Sequence, residues 1–428
     1  MMKQFKSLRS IAVMLCLLAT ISLTYQSCSD DDDGGAKSIT LSSLTAGDID
    51  LNGATSPNNV PVDATVVATF STDVDASTAT DANVKLIRDY DDAEMDIDVT
   101  ASDRTVTIST VEDLGSGTLY ILRINGLQSE GGKILADVER NFTTAGAFAP
   151  AGVIAHYSFE NNADDVVGDY DPSDTEVIDV TYVDSRNANA GQAASFNGTT
   201  TLIEIPNADE FMTHEDFAVS FWIKPTFSEG RGQFVLGLAG AYGFQFEIPN
   251  DWMWVKMAMR YQLPNGTDGE DSWYPGNGET KDNGGFQGTT INKDVSASGG
   301  VGETYFKDKW AHVVVTYNST TKVNTMYING EAVKEHDFTL FPDDNPKKNA
   351  AGVVYAGNPA PGNKLALGFI QSSENRTLVD EWADPTIDGT DPTDPANKHY
   401  HGLMDDVRIF SKPLTATEVT LMYNSEKP

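Results

Sequence analysis

Cysteine is almost missing from this chain: its 428 residues include two, Cys16 and Cys28. Two thiols, one of them inside an apolar N-terminal stretch, cannot form a disulfide framework, so hydrophobic core, or core together with metal, has to hold whatever folds. Histidine is scarce at six residues, which limits the room for a histidine-rich metal centre. Cations are outnumbered, with 29 Lys and Arg against 63 Asp and Glu and a formal net charge of −34. That balance excludes nucleic acid as a partner, because such binding depends on cations meeting phosphates. Beyond the N-terminus no run approaches the roughly eighteen consecutive apolar residues of a membrane-spanning helix. A phosphate-binding loop, a dinucleotide fingerprint and a Ser/His/Asp elbow are missing as well.

What the N-terminus does have is the three-part pattern of an export signal. Lys3, Lys6 and Arg9 precede an apolar stretch over residues 11–23, and small and polar residues then lead to Ser27 and Cys28. The stretch Thr24-Tyr25-Gln26-Ser27-Cys28 resembles a bacterial lipobox, with Tyr25 where Leu is usual. The acidic run at residues 30–33 resembles the export signal of surface lipoproteins in Gram-negative bacteria. The resemblance implies a signal peptide over residues 1–27, lipidation of Cys28 and an acidic tether over residues 28–38. It further implies an outer-membrane, surface-exposed location. Lipidation would also give the lone thiol of the mature chain a use, and several acyl chains anchor stably where one does not.

From residue 39 the texture changes to short alternating strands separated by turns. Val66, Ala68 and Phe70 alternate with Val67 and Thr69, and similar patterns recur at 83–87, 96–100, 104–109 and 119–124. Such spacing predicts a β-sandwich. Val60-Pro61-Val62-Asp63 with Phe70-Ser71, then Gly117-Thr118-Leu119-Tyr120, Asn125-Gly126-Leu127 and Phe142-Thr143-Thr144, resemble the SbsA-type bacterial Ig-like domain. The segment 39–146 is therefore expected to be such a domain, which implies a spacer. Residues 145–152, small and uncharged, read as a linker.

Residues 153–428 read as one β-rich unit. Phe217, Val219, Phe221 and Ile223 share one strand face, and residues 310–317 are nearly all apolar, as in a strand buried on both sides. Asn329-Gly330 predicts a hairpin turn, and Thr415 with Glu418 predicts a capping box opening a short helix. Six blocks resemble, in order, the laminin-G type of the concanavalin A-like jelly roll. They are Tyr157 to Gly168, Gly191 to Gly198, Phe217 to Pro225, Trp310 to Tyr317, Tyr327 to Gly330 and Gly402 to Val419. The expected fold is all-β: an Ig-like β-sandwich followed by a concanavalin A-like jelly-roll sandwich.

Residues 226–309 and the loop before Gly402, which carries Trp382 and the acidic, Pro-rich run 384–394, are long insertions relative to that pattern. Four of the six Trp fall in these insertions, whereas Trp222 and Trp310 fall in strand blocks and are expected in the core. Sugars stack their C–H faces on aromatic rings. Trp252, Trp254, Trp273, Tyr274 and Trp382 are accordingly the candidate ligand-binding residues. Trp252 and Trp254 would share a face if they lay in a strand; packing of the insertion is the competing reading. The resemblance also implies a possible structural Ca2+, with Asp405 as ligand joined by Glu160, Asp165 and a carbonyl near Gly198. His399 and His401 read as a polar loop. The Glu-x-Asp-x-x-Glu signature of glycosidases on this fold is absent, so no catalytic residue is assigned. The expectation is a non-catalytic glycan binder with an extracellular glycan as partner, anchored to the membrane only by lipid and possibly serving an outer-membrane uptake complex. An adhesive protein that binds protein partners, or a glycosidase of another type, remain alternatives.

Overall fold

The structure, a computed structural model, describes residues 38–357, 362–373 and 398–428. Cys28, the preceding signal segment, Trp382 and the run 384–394 lie outside the described residues. Two sandwiches follow one another along the chain. The first packs a five-stranded sheet on a four-stranded one. Alternation does the work here: Val66, Ala68 and Phe70 point inward from strand Val66–Phe70 and meet Val106, Ile108, Tyr120, Leu122 and Phe142 from neighbouring strands. Burying each of these Val, Ile, Leu and Phe side chains contributes about 1.5–3 kcal/mol.

The linker read at residues 145–152 is not free of both sandwiches. Phe148 is buried and meets Tyr90 edge-on at 5.2 Å. It also packs with Val419 and Met422 of the C-terminal helix Ala416–Glu426. The capping box that opens this helix is formed as the sequence predicts, with Thr415 Oγ1 accepting from the Glu418 N–H at 3.2 Å and Glu418 accepting from the Thr415 N–H at 2.9 Å.

The second sandwich packs a nine-stranded antiparallel sheet on an eight-stranded one. Strand Ala311–Asn318 sits mid-sheet and is buried on both faces, as its apolar run requires. Trp310 differs from expectation, since it lies just ahead of that strand and is half-buried. Trp222 is fully buried and stacks on His312 at 4.8 Å. The hairpin Val323–Ile328 to Glu331–Asp337 turns through Asn329 and Gly330, both with positive φ (55° and 80°), the turn geometry that matches strand twist.

In the eight-stranded sheet, strands Phe244–Ile248, Lys256–Gln262 and Asp268–Trp273 lie side by side, the last at the sheet edge. Phe244, Phe246, Ile248, Met257, Met259, Tyr261 and Trp273 join the core between the sheets. Period two then sends Gln245, Glu247, Lys256, Ala258, Arg260 and Ser272 to the outer side.

Candidate functional site

The outer face of these strands carries two of the five candidate aromatic residues, Trp254 and Tyr274. Register pairs Glu247 with Lys256 and Met257 with Trp273, so Tyr274, one residue past Trp273, comes up beside Lys256. Trp254 precedes Lys256 by two residues. The Trp254 and Tyr274 rings meet edge-on with centroids 4.5 Å apart. Trp254 is half-buried and donates Nε1–H to Asp251 Oδ2 at 3.2 Å; Tyr274 is 37% exposed. Among the described residues, Tyr274 and Phe286 are the two exposed aromatic side chains.

Trp252 and Trp273 go elsewhere. Both are buried in the core between the sheets. The i, i+2 argument fails for Trp252 because residues 250–255 are a turn rather than a strand. Trp252 has φ +57°, which breaks the alternation and turns its ring inward onto Phe227, where Nε1–H donates to the Arg231 carbonyl at 2.9 Å. Trp273 follows the strand period and faces inward for that reason. Neither ring face is open for a sugar to stack on; Trp273 lines a cleft only from its buried side. They pack the insertion onto the sandwich, which was the competing reading.

Around the surface pair the chemistry is polar and charged. Lys256 Nζ lies 2.7 Å from Glu247 Oε1, and Gln245 Nε2 donates to the same carboxylate oxygen at 3.1 Å. A cleft of about 350 Å3 runs along Glu247, Asn250, Trp254, Lys256 and Tyr274. A second, also about 350 Å3, lies on the other side of the pair, against Met253, Pro275 and Asn277. A third, of about 510 Å3, opens past Tyr274 toward Phe286 and Lys334. Tyr274 lines all three. Lys256, Phe286 and Lys334 were not picked out from sequence. The available signals were a ring beside Asn283-Gly284-Gly285 and a lysine at an inward position of a hairpin strand.

Each of the four residues proposed for calcium accepts a hydrogen bond from a protein donor. Asp405 accepts hydrogen bonds from Arg186 and Ser185. Glu160 accepts from the Gln192 N–H at 3.2 Å, and Asp165 from the His156 N–H at 2.8 Å. The Gly198 carbonyl accepts from Arg231 Nη2 at 3.1 Å. Among the described residues, no group of three or more His, Cys, Asp or Glu could hold a metal ion. The donor set therefore does not fit the ion, and the reason is physical: the buried Arg186 guanidinium supplies the positive charge at Asp405. Around it, Asp406 pairs with His156 at 2.7 Å and Arg408 at 2.8 Å, and Arg408 pairs with Glu426 at 2.8 Å. Burial opposes ionisation of Asp406, but Arg408, His156 and Arg186 outweigh it and hold the carboxyl well below its usual range. His312 is fully buried and hydrogen-bonded to Ser220 Oγ at 2.8 Å; burial pushes it down to about 3, so it is neutral.

Family models match both sandwiches. Residues 50–144 match a bacterial Ig-like domain. Residues 197–372 match the concanavalin A-like lectin/glucanases superfamily. The chain carries a bacterial Ig-like domain followed by a concanavalin A-like domain. No curated protein sequence matches the chain.

Solved structures similar to this chain include the binding domain of Paraclostridial Mosquitocidal Protein 1 (17% identity, TM-score 0.39, 64% of this chain and 52% of that one). Domain 4 of AbnA, an extracellular arabinanase from Geobacillus stearothermophilus in complex with arabinotriose, aligns at 18% identity and TM-score 0.37, over 64% of this chain and all of that one. The ligand-binding domain of botulinum neurotoxin serotype D, in complex with N-acetylneuraminic acid, aligns at 16% identity and TM-score 0.39, over 64% of this chain and 51% of that one. This chain thus spans about half the length of the two toxin domains. At these TM-scores the likenesses carry nothing about the site.

Proposed function

We propose that this chain is a non-catalytic glycan-binding protein whose site is the outer surface built around Trp254 and Tyr274. The observation that carries the reading is that pair: two rings in edge-on contact, partly open to solvent, beside a carboxylate, an ammonium and amides. Rings of this kind accept the C–H face of a sugar, and the flanking polar groups accept and donate to its hydroxyls. Hydrolysis would need two carboxylates acting together. Glu247 is instead paired with Lys256 at 2.7 Å, and Glu204, on another strand, has Lys364 at 3.7 Å. That arrangement favours holding a glycan over cleaving one.

In this proposal the Ig-like domain is a spacer and Cys28 carries the lipid that displays both domains at the outer-membrane surface. The ligand is then an extracellular polysaccharide, captured as an accessory step to an uptake complex. Affinity electrophoresis in gels containing neutral and acidic polysaccharides tests the core of it. Retardation that disappears in Trp254→Ala and in Tyr274→Ala is the expected result. If no polysaccharide retards the wild-type chain, the reading is wrong, and release of sugar from any of them would replace it with an enzyme.

A further inference from the structure

At one edge of the concanavalin A-like sandwich the core turns polar. The edge strand Asp268–Trp273 of one sheet stands near strands Thr289–Asn292 and Glu331–Asp337 of the other, and inward positions that should be apolar carry Asp271, Thr289, Lys334 and His336. Most of this polarity is satisfied. Asp271 is paired with His336 at 3.0 Å and with Lys347 at 2.9 Å, which holds its carboxyl below the usual range against the opposing effect of burial. Asn292 accepts from the Gly276 N–H at 3.0 Å and donates to the Glu279 carbonyl at 3.0 Å.

Three donors are left over. Lys334 is 7% exposed, and among the described residues its ammonium makes no ion pair and no hydrogen bond. Thr289 Oγ1 and Trp273 Nε1, both buried, also lack a hydrogen-bond partner. All three line the 510 Å3 cleft, whose rim carries the exposed Phe286 and Tyr274. A largely buried lysine with no protein acceptor and two buried donors without partners are costly to keep, and each native instance calls for an explanation. Here the unmet demand is for acceptor atoms bearing negative charge, in a chain whose net charge of −34 would otherwise repel anions.

We infer that this edge cleft is an anion subsite of the glycan site, in which Lys334, Thr289 Oγ1 and Trp273 Nε1 receive the carboxylate or sulfate substituent of an acidic sugar. The subsite rests on the glycan-binding reading above, because Tyr274 is shared and places the two regions side by side. One sugar unit lies against the Trp254–Tyr274 surface, and the charged substituent of a neighbouring unit enters past Phe286. The acceptor oxygens satisfy the donors that the fold leaves open. Specificity follows from the same fact, since a neutral sugar leaves the Lys334 ammonium unpaired. The ionisable groups that share the cleft with Lys334 are Asp271, neutralised by His336 and Lys347, which line it too, and Glu279, which is exposed and accepts from Asn277 Nδ2 at 2.9 Å.

The test uses the full chain with polygalacturonate as the uronate, dextran sulfate as the sulfate ester, and arabinan and dextran as neutral controls, by calorimetry and affinity gel. At least one acidic polymer should bind about tenfold to a hundredfold more tightly than the neutral ones, the worth of hydrogen bonds to a charged group. Lys334→Met should erase that preference and leave neutral binding unchanged. Thr289→Val, a near-isosteric change, should weaken it in part, which keeps the inference exposed if the lysine variant fails to fold. The polymer that shows the preference tells carboxylate from sulfate. Equal affinity for acidic and neutral polymers, or an acidic preference that survives Lys334→Met, overturns the subsite and leaves the Trp254–Tyr274 site standing. Absence of binding to every polymer overturns both.

Discussion

Trp252 and Trp254 stand two residues apart in sequence, yet one ring is locked in the core against Phe227 and the other meets Tyr274 at the surface. The positive φ at Trp252 separates them. Two tryptophans that look equivalent in the sequence therefore have different physical roles, and substitutions at the two should be read out differently.

Trp254→Ala and Tyr274→Ala should weaken polysaccharide binding by tenfold or more, while chemical denaturation shows losses of about 1 kcal/mol or less, as for partly exposed sites. Trp252→Ala and Trp273→Ala should instead cost about 3–5 kcal/mol of stability through the cavities they leave. A binding loss in the first pair matched by an equal loss of stability would remove the distinction.

Lys334 carries a stability cost that the ligand relieves. Burial pushes its ammonium down to about 8 from an ordinary value of 10.5. The folded pKa is the lower one, so between about pH 8 and 10.5 the unfolded chain binds more protons and stability rises with pH. Below pH 8 the full penalty is present. Lys334→Met should therefore raise stability at pH 7 by about 3 kcal/mol, the worth of a fall from 10.5 to about 8 at ~1.4 kcal/mol per pH unit, and the gain should fade as pH approaches 10.5. Urea melts at pH 7 and pH 10 would check both the sign and the window. Affinity for an acidic polysaccharide should decline over the same window, beginning near pH 8, as the ammonium loses its proton.

Removal of divalent cations should leave the melting temperature unchanged, because Arg186 already neutralises Asp405. Breaking that arrangement from the protein side is another matter. Arg186→Met strips a buried cation from Asp405 and Asp406 and should cost about 3–5 kcal/mol, the usual penalty for an orphaned buried charge. A chelator-induced fall in melting temperature would reverse the assignment.

Cys28→Ala should abolish incorporation of labelled fatty acid and release the chain from the membrane fraction. Retention of label in that variant would place the anchor elsewhere.

Much of the architecture was legible because β-sandwich physics is local. Alternation in Val66–Phe70, the apolar run that became Ala311–Asn318, the Asn329-Gly330 turn and the Thr415–Glu418 box each depend on neighbours a few residues away. The family blocks added the order of the two sandwiches. Trp310 slipped from the core because it falls one residue ahead of its strand, at a boundary that pattern reading fixes poorly.

The site depended on contacts that no short window holds. Whether Trp254 meets Tyr274 is set by the register that pairs Lys256–Gln262 with Asp268–Trp273. Whether Asp405 takes an ion or an arginine is set by Arg186, 219 residues away. Whether Lys334 is a solvated surface charge or an unpaired cation in a cleft is set by two sheet edges drawn together by packing. The sequence by itself determined the strands, the turns and the two-sandwich plan, since each is a matter of period and backbone preference. Tertiary structure alone decided which aromatic rings face solvent and which charges lack partners, because burial is a property of what packs against a residue from far along the chain.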